Sequence, residues 1–575
     1  MLKLFRYIKP YRGAVLLVLI FTFLQTLSEL FLPTLMAGIV DDGVSQGNIP
    51  LIWRIGGIMV AVAAGGVICS IVASYMAAKS ATGLGRILRQ KVFSHVEKFS
   101  LQEFDRIGTA SLITRTTNDI TQVQQVTIMI LRMLVLAPLM CIGGILMAVT
   151  RDPGLATVLL VVIPVLALAI FLIAYKGIPL FKVIQTKIDT LSRVTREGLT
   201  GMRVIRSFNR TTYEESRFQE ANEDLTQTSI RVNQIMGAMM PVMMLVMNLA
   251  TIAIVWFGGD RIQNGHIQVG DLMAFLQYAM MIMFSLIMLS VMFVMIPRAQ
   301  ASAVRINEVL QMKPDIVDPD QTGRAVHGKG HVVFDDVTFY YPGAEEPALT
   351  EISFEAGPGE VTAVIGGTGS GKSTLISLIP RFYDVTSGNV KIDGLDIREM
   401  SQEDLRSKIG FVPQQALLFT GSIADNIRYG KEDATDEEIR HAAVVAQADE
   451  FISGMEGGYE APISQGGGNV SGGQKQRLSI ARALVRRPEV YVFDDSFSAL
   501  DFKTDAKLGA ALKSETTAST VLIVAQRVST VMDADRIIVL EEGKVAGIGS
   551  HAELMESCSV YQEIVSSQLS EEEIA

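Results

Sequence analysis

Three short stretches hold residues whose types and spacing suit the chemistry of a phosphate anhydride. The first is GGTGSGKS, Gly366 to Ser373, which fits G-x-x-x-x-G-K-[ST], follows the apolar run VTAVI and opens a helix at Lys372. Gly366, Gly367, Gly369 and Gly371, with Thr368 and Ser370 between them, let backbone N–H groups converge on phosphate oxygens, and the helix N-terminus adds a field that favours anions. Lys372 can reach the β- and γ-phosphates, Ser373 can offer its hydroxyl to Mg²⁺, and Thr374 closes the set. The second stretch is VYVFDD, Val490 to Asp495. It is an apolar strand whose terminal Asp494 can hold Mg²⁺ through water, while Asp495 stands where a water-activating base is needed. The third is VSGGQKQR, Val470 to Arg477, about 20 residues before Asp494. Ser471, Gly472, Gly473 and Gln474 form another anion-binding helix start. That loop cannot share one γ-phosphate with Lys372 unless two copies face each other.

These stretches need a scaffold. From about residue 330 apolar strands alternate with helical segments: HVVFDDVTF, EVTAVIG, EVYVFD and TVLIVA. The expectation is an α/β P-loop NTPase domain over 330–565, followed by an acidic tail over 566–575. Before it, KPDIVDPDQTGRAVHGK (313–329) loses hydrophobicity and gains Pro, Gly and charge, as a linker does. The remaining 1–312 reads as an all-α membrane domain. Six apolar segments, about 14–40, 55–78, 128–149, 155–176, 236–258 and 272–297, each meet the roughly 20 residues needed to cross the hydrocarbon layer.

Lys and Arg crowd before the first span and in the two long connections 79–127 and 177–235, while the other connections have few. By the positive-inside rule both termini and the α/β domain lie in the cytoplasm of a cell that carries the chain in its plasma or inner membrane. Repeated apolar positions such as Ile87, Phe93, Val96, Leu199, Val204 and Phe208 make those connections helical extensions of the spans. The basic start MLKLFRYIKPYR leads into a long apolar stretch with no small-residue cleavage site, so it reads as a first span. The chain has 575 residues, 49% of them hydrophobic, with net charge −10. That size implies two or more domains, and the acidic balance argues against nucleic acid as the main partner. The three cysteines, Cys69, Cys141 and Cys558, have no metal-like spacing and imply no disulfide framework.

Few polar groups interrupt the spans. Glu29, Arg132 and Asn248 are the candidates for substrate contact, since an ionisable group at membrane depth is costly and faces a cavity or a partner. Spans five and six hold 13 of the 27 methionines. Met is flexible and polarizable, and recurs at surfaces that accept varied apolar ligands.

The set GGTGSGKS, VPQQ, VSGGQ, VYVFDD and SALD, placed behind six spans, resembles an ATP-binding-cassette (ABC) exporter half-transporter over nearly the whole chain. FDRIGTASLITRTTNDI (104–120) resembles the first coupling region of such exporters. The resemblance implies a swapped-helix membrane dimer and two ATP molecules sandwiched head-to-tail between cassettes, each held by one phosphate loop and the opposite signature. It further implies that Tyr341 stacks on adenine, that Gln414 reaches Mg²⁺ from the Q-loop, and that Asp501 is the D-loop aspartate at the dimer contact.

Two positions depart from the family pattern. The family's hydrolytic Glu is Asp495 here, and its switch-loop His falls at Gln526. Gln465 stands where another Glu is expected. Both hydrolytic departures weaken the ATP site built on this chain's own phosphate loop, whereas the intact signature serves the opposite site. The pattern resembles the degenerate-site subunit of asymmetric bacterial multidrug exporters. It implies a second half-transporter as partner, a lipid bilayer around both, and a hydrophobic small molecule as cargo. The alternatives are a lipid, peptide or siderophore transporter, and an ATP-gated channel or regulatory subunit.

Overall fold

The computed structural model of the chain describes residues 1–319 and 328–568. Part of the expected linker (320–327) and most of the expected acidic tail (569–575) lie outside the described residues. The chain divides into two compact units, Met1–Glu97 with Gly108–Met312, and Lys98–Ile107 with Lys313–Ala575.

The first unit is helical. Among the described residues six helices are long and apolar enough to cross a membrane. The main ones are Arg12–Gly38, Ile49–Val96, Ile120–Arg151, Pro153–Thr200, Met239–Gln263 and Val269–Gln311. Two of them run for 48 residues, about 72 Å at 1.5 Å per residue, so they outreach the roughly 30 Å hydrocarbon layer and become the helical extensions read from the sequence. Their apolar content does not all find cover. Leu199, Val204 and Phe208, at the tip joining Pro153–Thr200 to Thr211–Gly237, are 69%, 61% and 74% exposed. At the opposite end Arg261 pairs with Asp152 at 2.6 Å and Arg151 with Asp271 at 2.8 Å, tying the short connections together. In the extensions, the buried Asp119 accepts from Ser302 Oγ at 2.9 Å and from Arg305 Nε at 2.8 Å.

The second unit is an α/β cassette. Its strands are β1 (Val332–Phe339), β2 (Leu349–Ala356), β3 (Val361–Gly366), β4 (Ser387–Ile392), β5 (Leu395–Asp396) and β6 (Ile409–Val412). They are followed by β7 (Gly421–Ser422), β8 (Pro462–Ile463), β9 (Val490–Asp494), β10 (Thr520–Val524), β11 (Arg536–Glu541) and β12 (Lys544–Gly549). Six strands form one sheet in the order β12-β11-β3-β10-β9-β6. Only the β11–β12 pair is antiparallel in it. β9 is buried at every residue, and β3 is buried at four of six, the near-continuous burial expected of strands covered on both faces. A smaller antiparallel sheet runs β2-β1-β4-β5. The short helix Leu101–Ile107 groups with this unit. The buried Glu103 explains why: its Oε1 accepts from Asp315 N–H at 3.0 Å, and its Oε2 accepts from Ser100 N–H at 2.6 Å.

Candidate functional site

β3 ends at Gly366, and the chain turns through Gly367–Gly371 into the helix Lys372–Leu378. Gly369 and Gly371 have φ of +85° and +96°, left-handed values that an L side chain adopts only with strain. Gly366 is required by close approach, because a Cβ there would lie 2.2 Å from the Leu540 carbonyl oxygen. Lys372 Nζ donates to the carbonyls of Gly366 at 2.8 Å and Gly367 at 2.7 Å, placing its charge over the loop. Burial lowers the Lys372 pKa, against the pull of Asp495 and Asp494. The Ser370 hydroxyl is buried and has no hydrogen-bond partner among the described residues. An unmatched buried polar group inside a strained glycine loop is what an anion's oxygens would satisfy.

β9 delivers the acids beside this loop, because it lies one strand away from β3 with β10 between them. Asp494 Oδ1 accepts from Ser373 Oγ at 3.1 Å. Burial raises the Asp494 pKa, and the neighbouring Asp495 charge adds to the rise. A hydroxyl, a carboxylate and the Gln414 amide are hard oxygen donors of the kind Mg²⁺ takes together with phosphate oxygens, without an all-protein cage. Among the described residues no cluster of three or more His, Cys, Asp or Glu stands ready to hold a metal alone.

The next residue departs from the strand. Asp495 has φ +46°, and its N–H donates to Val524 O at 2.9 Å. Asp tolerates the left-handed region better than most residues because its short side chain can bond locally. Its Oδ2 accepts from Gln526 Nε2 at 2.9 Å and, more weakly, from Gln414 Nε2 at 3.3 Å. Three residues singled out from distant parts of the sequence therefore meet on one carboxylate oxygen.

The other expected residues fall as follows. Tyr341 is part-exposed, its hydroxyl 2.9 Å from Thr374 Oγ1. Ser471 caps the helix Gly472–Leu484 through a reciprocal box with Gln474. No hydrogen bond among the described residues joins 471–474 to the phosphate loop. Asp501 caps the helix Phe502–Glu515 by accepting from Thr504 N–H at 2.9 Å, which lowers its pKa. Two contributors escaped the sequence reading. Tyr383 packs edge-on against Tyr341 with ring centroids 5.5 Å apart, and its hydroxyl lies 3.5 Å from Asp105 Oδ2. Burial, then the Asp105 charge, pushes its pKa up to about 12. Arg527 donates to Ser498 O at 3.1 Å, joining the segment that carries Gln526 to the turn after Asp495. The aromatic in RFYD was a visible signal for the first; nothing local marks the second.

In the membrane unit Glu29 lines a cavity of about 470 Å³ with Met140, Met247, Met280, Met281 and Met288. Its Oε1 accepts from the buried Gln25 at 2.8 Å. Arg132 and Asn248 do not line this cavity. Arg132 reaches Ser70 Oγ at 3.4 Å, and Asn248 is exposed.

Comparison with known proteins bears on both units. Residues 15–286 match the family model described as ABC transporter transmembrane region, and 349–498 match the one described as ABC transporter. An uncharacterized ABC transporter ATP-binding protein of Mycobacterium bovis is 44% identical over 567 residues, 98% of this chain and 97% of the relative. A fatty acid ABC transporter ATP-binding/permease protein of the same organism is 34% identical over 83% of this chain and 75% of its own length. An ATP-dependent lipid A-core flippase of Chromobacterium violaceum is 32% identical over 99% of this chain and 97% of its own.

Proposed function

This chain belongs to the ABC transporter family, and on that premise we propose that it is one half of a heterodimeric exporter of hydrophobic compounds. In this reading it holds ATP at a slow site of its own and lends its signature loop to the partner's fast one. The observation that carries the reading is the state of Asp495. Its carboxylate is one methylene shorter than the family's Glu, and two amide N–H groups bind the same oxygen. Those two amides occupy the oxygen that an attacking water would have to bond. Gln526 carries no titratable proton with which to replace the family's His.

The phosphate loop supports firm nucleotide binding. Lys372 and Ser370 would hold phosphate oxygens, Tyr341 the adenine, and Ser373, Asp494 and Gln414 the Mg²⁺, which neutralises charge on the β- and γ-phosphates when bound. The signature Ser471–Gln474 is a well-formed helix start whose hydrogen bonds among the described residues stay within its own helix, as suits a loop destined for the opposite cassette. The exposed apolar tip at Leu199, Val204 and Phe208 suits burial against a second half. Closure of the cassettes on ATP, relayed through the regions near 104–116 and 208–218, would turn the membrane cavity outward, and hydrolysis at the partner's site would reset it. The cassette and both termini would face the cytoplasm. The methionine cavity suits hydrophobic cargo of varied shape, a multidrug range included. An amphipathic lipid is the second reading, favoured by the relatives named for fatty acid and for lipid A-core.

Two substitutions on this one chain test the asymmetry in the assembled, reconstituted transporter. Gly472→Asp should abolish ATP turnover, because it spoils the partner's fast site. Asp495→Ala should leave turnover within about twofold, because it touches only the slow one. A particle of identical chains in which both substitutions abolish turnover would sink the proposal.

A further inference from the structure

The segment bearing Gln526 is held from behind by the far end of the chain. The helix Ser559–Ser566 packs Tyr561 and Val565 into the same buried cluster as Val528 and Val531. Tyr561 is further fixed by its hydroxyl, 2.8 Å from His551 Nδ1. From that base Gln568 makes two hydrogen bonds to the backbone of the segment. Its Oε1 accepts from Val528 N–H at 2.9 Å, and its Nε2 donates to Gln526 O at 2.8 Å. One planar amide thus spans the carbonyl of one residue and the N–H two residues on. That pairing requires the intervening Arg527 to stay extended, as it is at φ −96° and ψ 130°. On the other side of the same three residues, Gln526 Nε2 donates to Asp495 at 2.9 Å.

We infer that Gln568 is a positioning residue for the switch segment: by fixing the backbone at 526–528 it sets the reach of the side chain at 526 toward the catalytic carboxylate. The inference rests on the reading above that Asp495 and Gln526 serve turnover at this chain's own site. Gln568 touches neither nucleotide-binding loop nor acid, so its effect must pass through residue 526. Releasing the clamp frees two backbone groups at once and lets Gln526 shift; misplacement of about 1 Å at a reacting centre can lower a rate by about 10²-fold, so a partial loss of about tenfold is expected.

The test uses the full chain purified as the sole subunit in lipid nanodiscs, where every site is its own. Single-turnover hydrolysis of radiolabelled ATP is followed with enzyme in excess. Gln568→Ala should slow the chemical step about tenfold while ATP affinity stays within about twofold. Gln526→Ala should slow it at least as much, and the double substitution should match Gln526→Ala alone, since both act through one side chain. Losses that multiply, or a loss confined to ATP affinity, would overturn the inference. Hydrogen exchange reads the clamp without chemistry. The Val528 amide should exchange faster in Gln568→Ala, whereas Gln568→Glu keeps the acceptor and should keep most of the protection. Unchanged Val528 exchange in Gln568→Ala refutes the clamp itself. Accelerated exchange with a silent Gln526→Ala instead refutes the role given to residue 526 at the site, and with it the positioning role.

Discussion

Replacing Asp495 by Glu, with Gln526 replaced by His, should speed turnover at the site proposed above to be slow. The present carboxylate lies 2.9 Å from Gln526 Nε2 and 3.3 Å from Gln414 Nε2. One added methylene advances it by about 1 Å, and a correction of that size at a reacting centre is worth about 10²-fold, close to 2.7 kcal/mol in the barrier. The imidazole then supplies a titratable donor in place of an amide that carries no titratable proton. The gain has a structural cost. Asp495 sits at φ +46°, where Asp is better tolerated than Glu, so Asp495→Glu should lose about 1 kcal/mol of stability. The assay is steady-state ATP hydrolysis by the chain as sole subunit in nanodiscs, with thermal unfolding of the same preparations. The double variant should hydrolyse far faster than the unaltered chain, with a slightly lower unfolding midpoint. An unaltered chain that already runs at the rate of the double variant would refute the reasoning, as would a double variant no faster than the original.

Further outcomes are open to measurement. Asp494 is buried beside Asp495, and both effects raise its pKa. Any stability linked to its proton is therefore complete below the unfolded carboxylate value and is lost as pH rises through the raised folded value, so at neutral pH its charge destabilises the cassette. Asp494→Asn should then raise the unfolding midpoint by about 2 °C without Mg-ATP while abolishing stabilisation by Mg-ATP, as read by scanning fluorimetry. Lys408 bonds Asp393 at 2.9 Å and Glu489 at 2.6 Å. Lys408→Met strips the nearly buried Asp393 of its cation and should destabilise the protein by about 3 kcal/mol in denaturant melts, the low end for a broken buried pair because Gly330 and His331 N–H groups still bind that carboxylate. Burial works against it, but the bonds to Lys408 and the backbone hold the Asp393 pKa below its usual range. Its contribution is complete above the unfolded carboxylate value and fades as pH falls through the depressed folded one, so the acid-side loss of stability in that window should shrink in Lys408→Met. Glu29→Gln should leave basal ATP hydrolysis unchanged but alter its stimulation by hydrophobic compounds; a stimulation profile matching the unaltered chain would remove Glu29 from the cargo path.

Local order was readable in the letters alone. The phosphate loop, the acid-tipped β9, the signature helix start and the six spans each depend on neighbours within a few turns or one strand, and hydrophobic period, glycine placement and capping residues encode such neighbours directly. The family's departures at Asp495 and Gln526 were likewise visible one residue at a time. Three-dimensional packing decided the rest. Gln414 and Gln526 meet Asp495 across separations of 81 and 31 residues because β9 lies between β10 and β6 in a parallel sheet, an order no local period records. Glu29 shares a cavity with five methionines drawn from three other helices, whereas Arg132 and Asn248, equally polar in the sequence, do not line it. Gln568 had no signal at all: a lone glutamine after a short helix is ordinary until the fold brings it against the backbone of 526–528. Contacts between distant segments form because burying apolar faces fixes where strands and helices lie, and polar side chains then find whatever partners that burial has placed within reach.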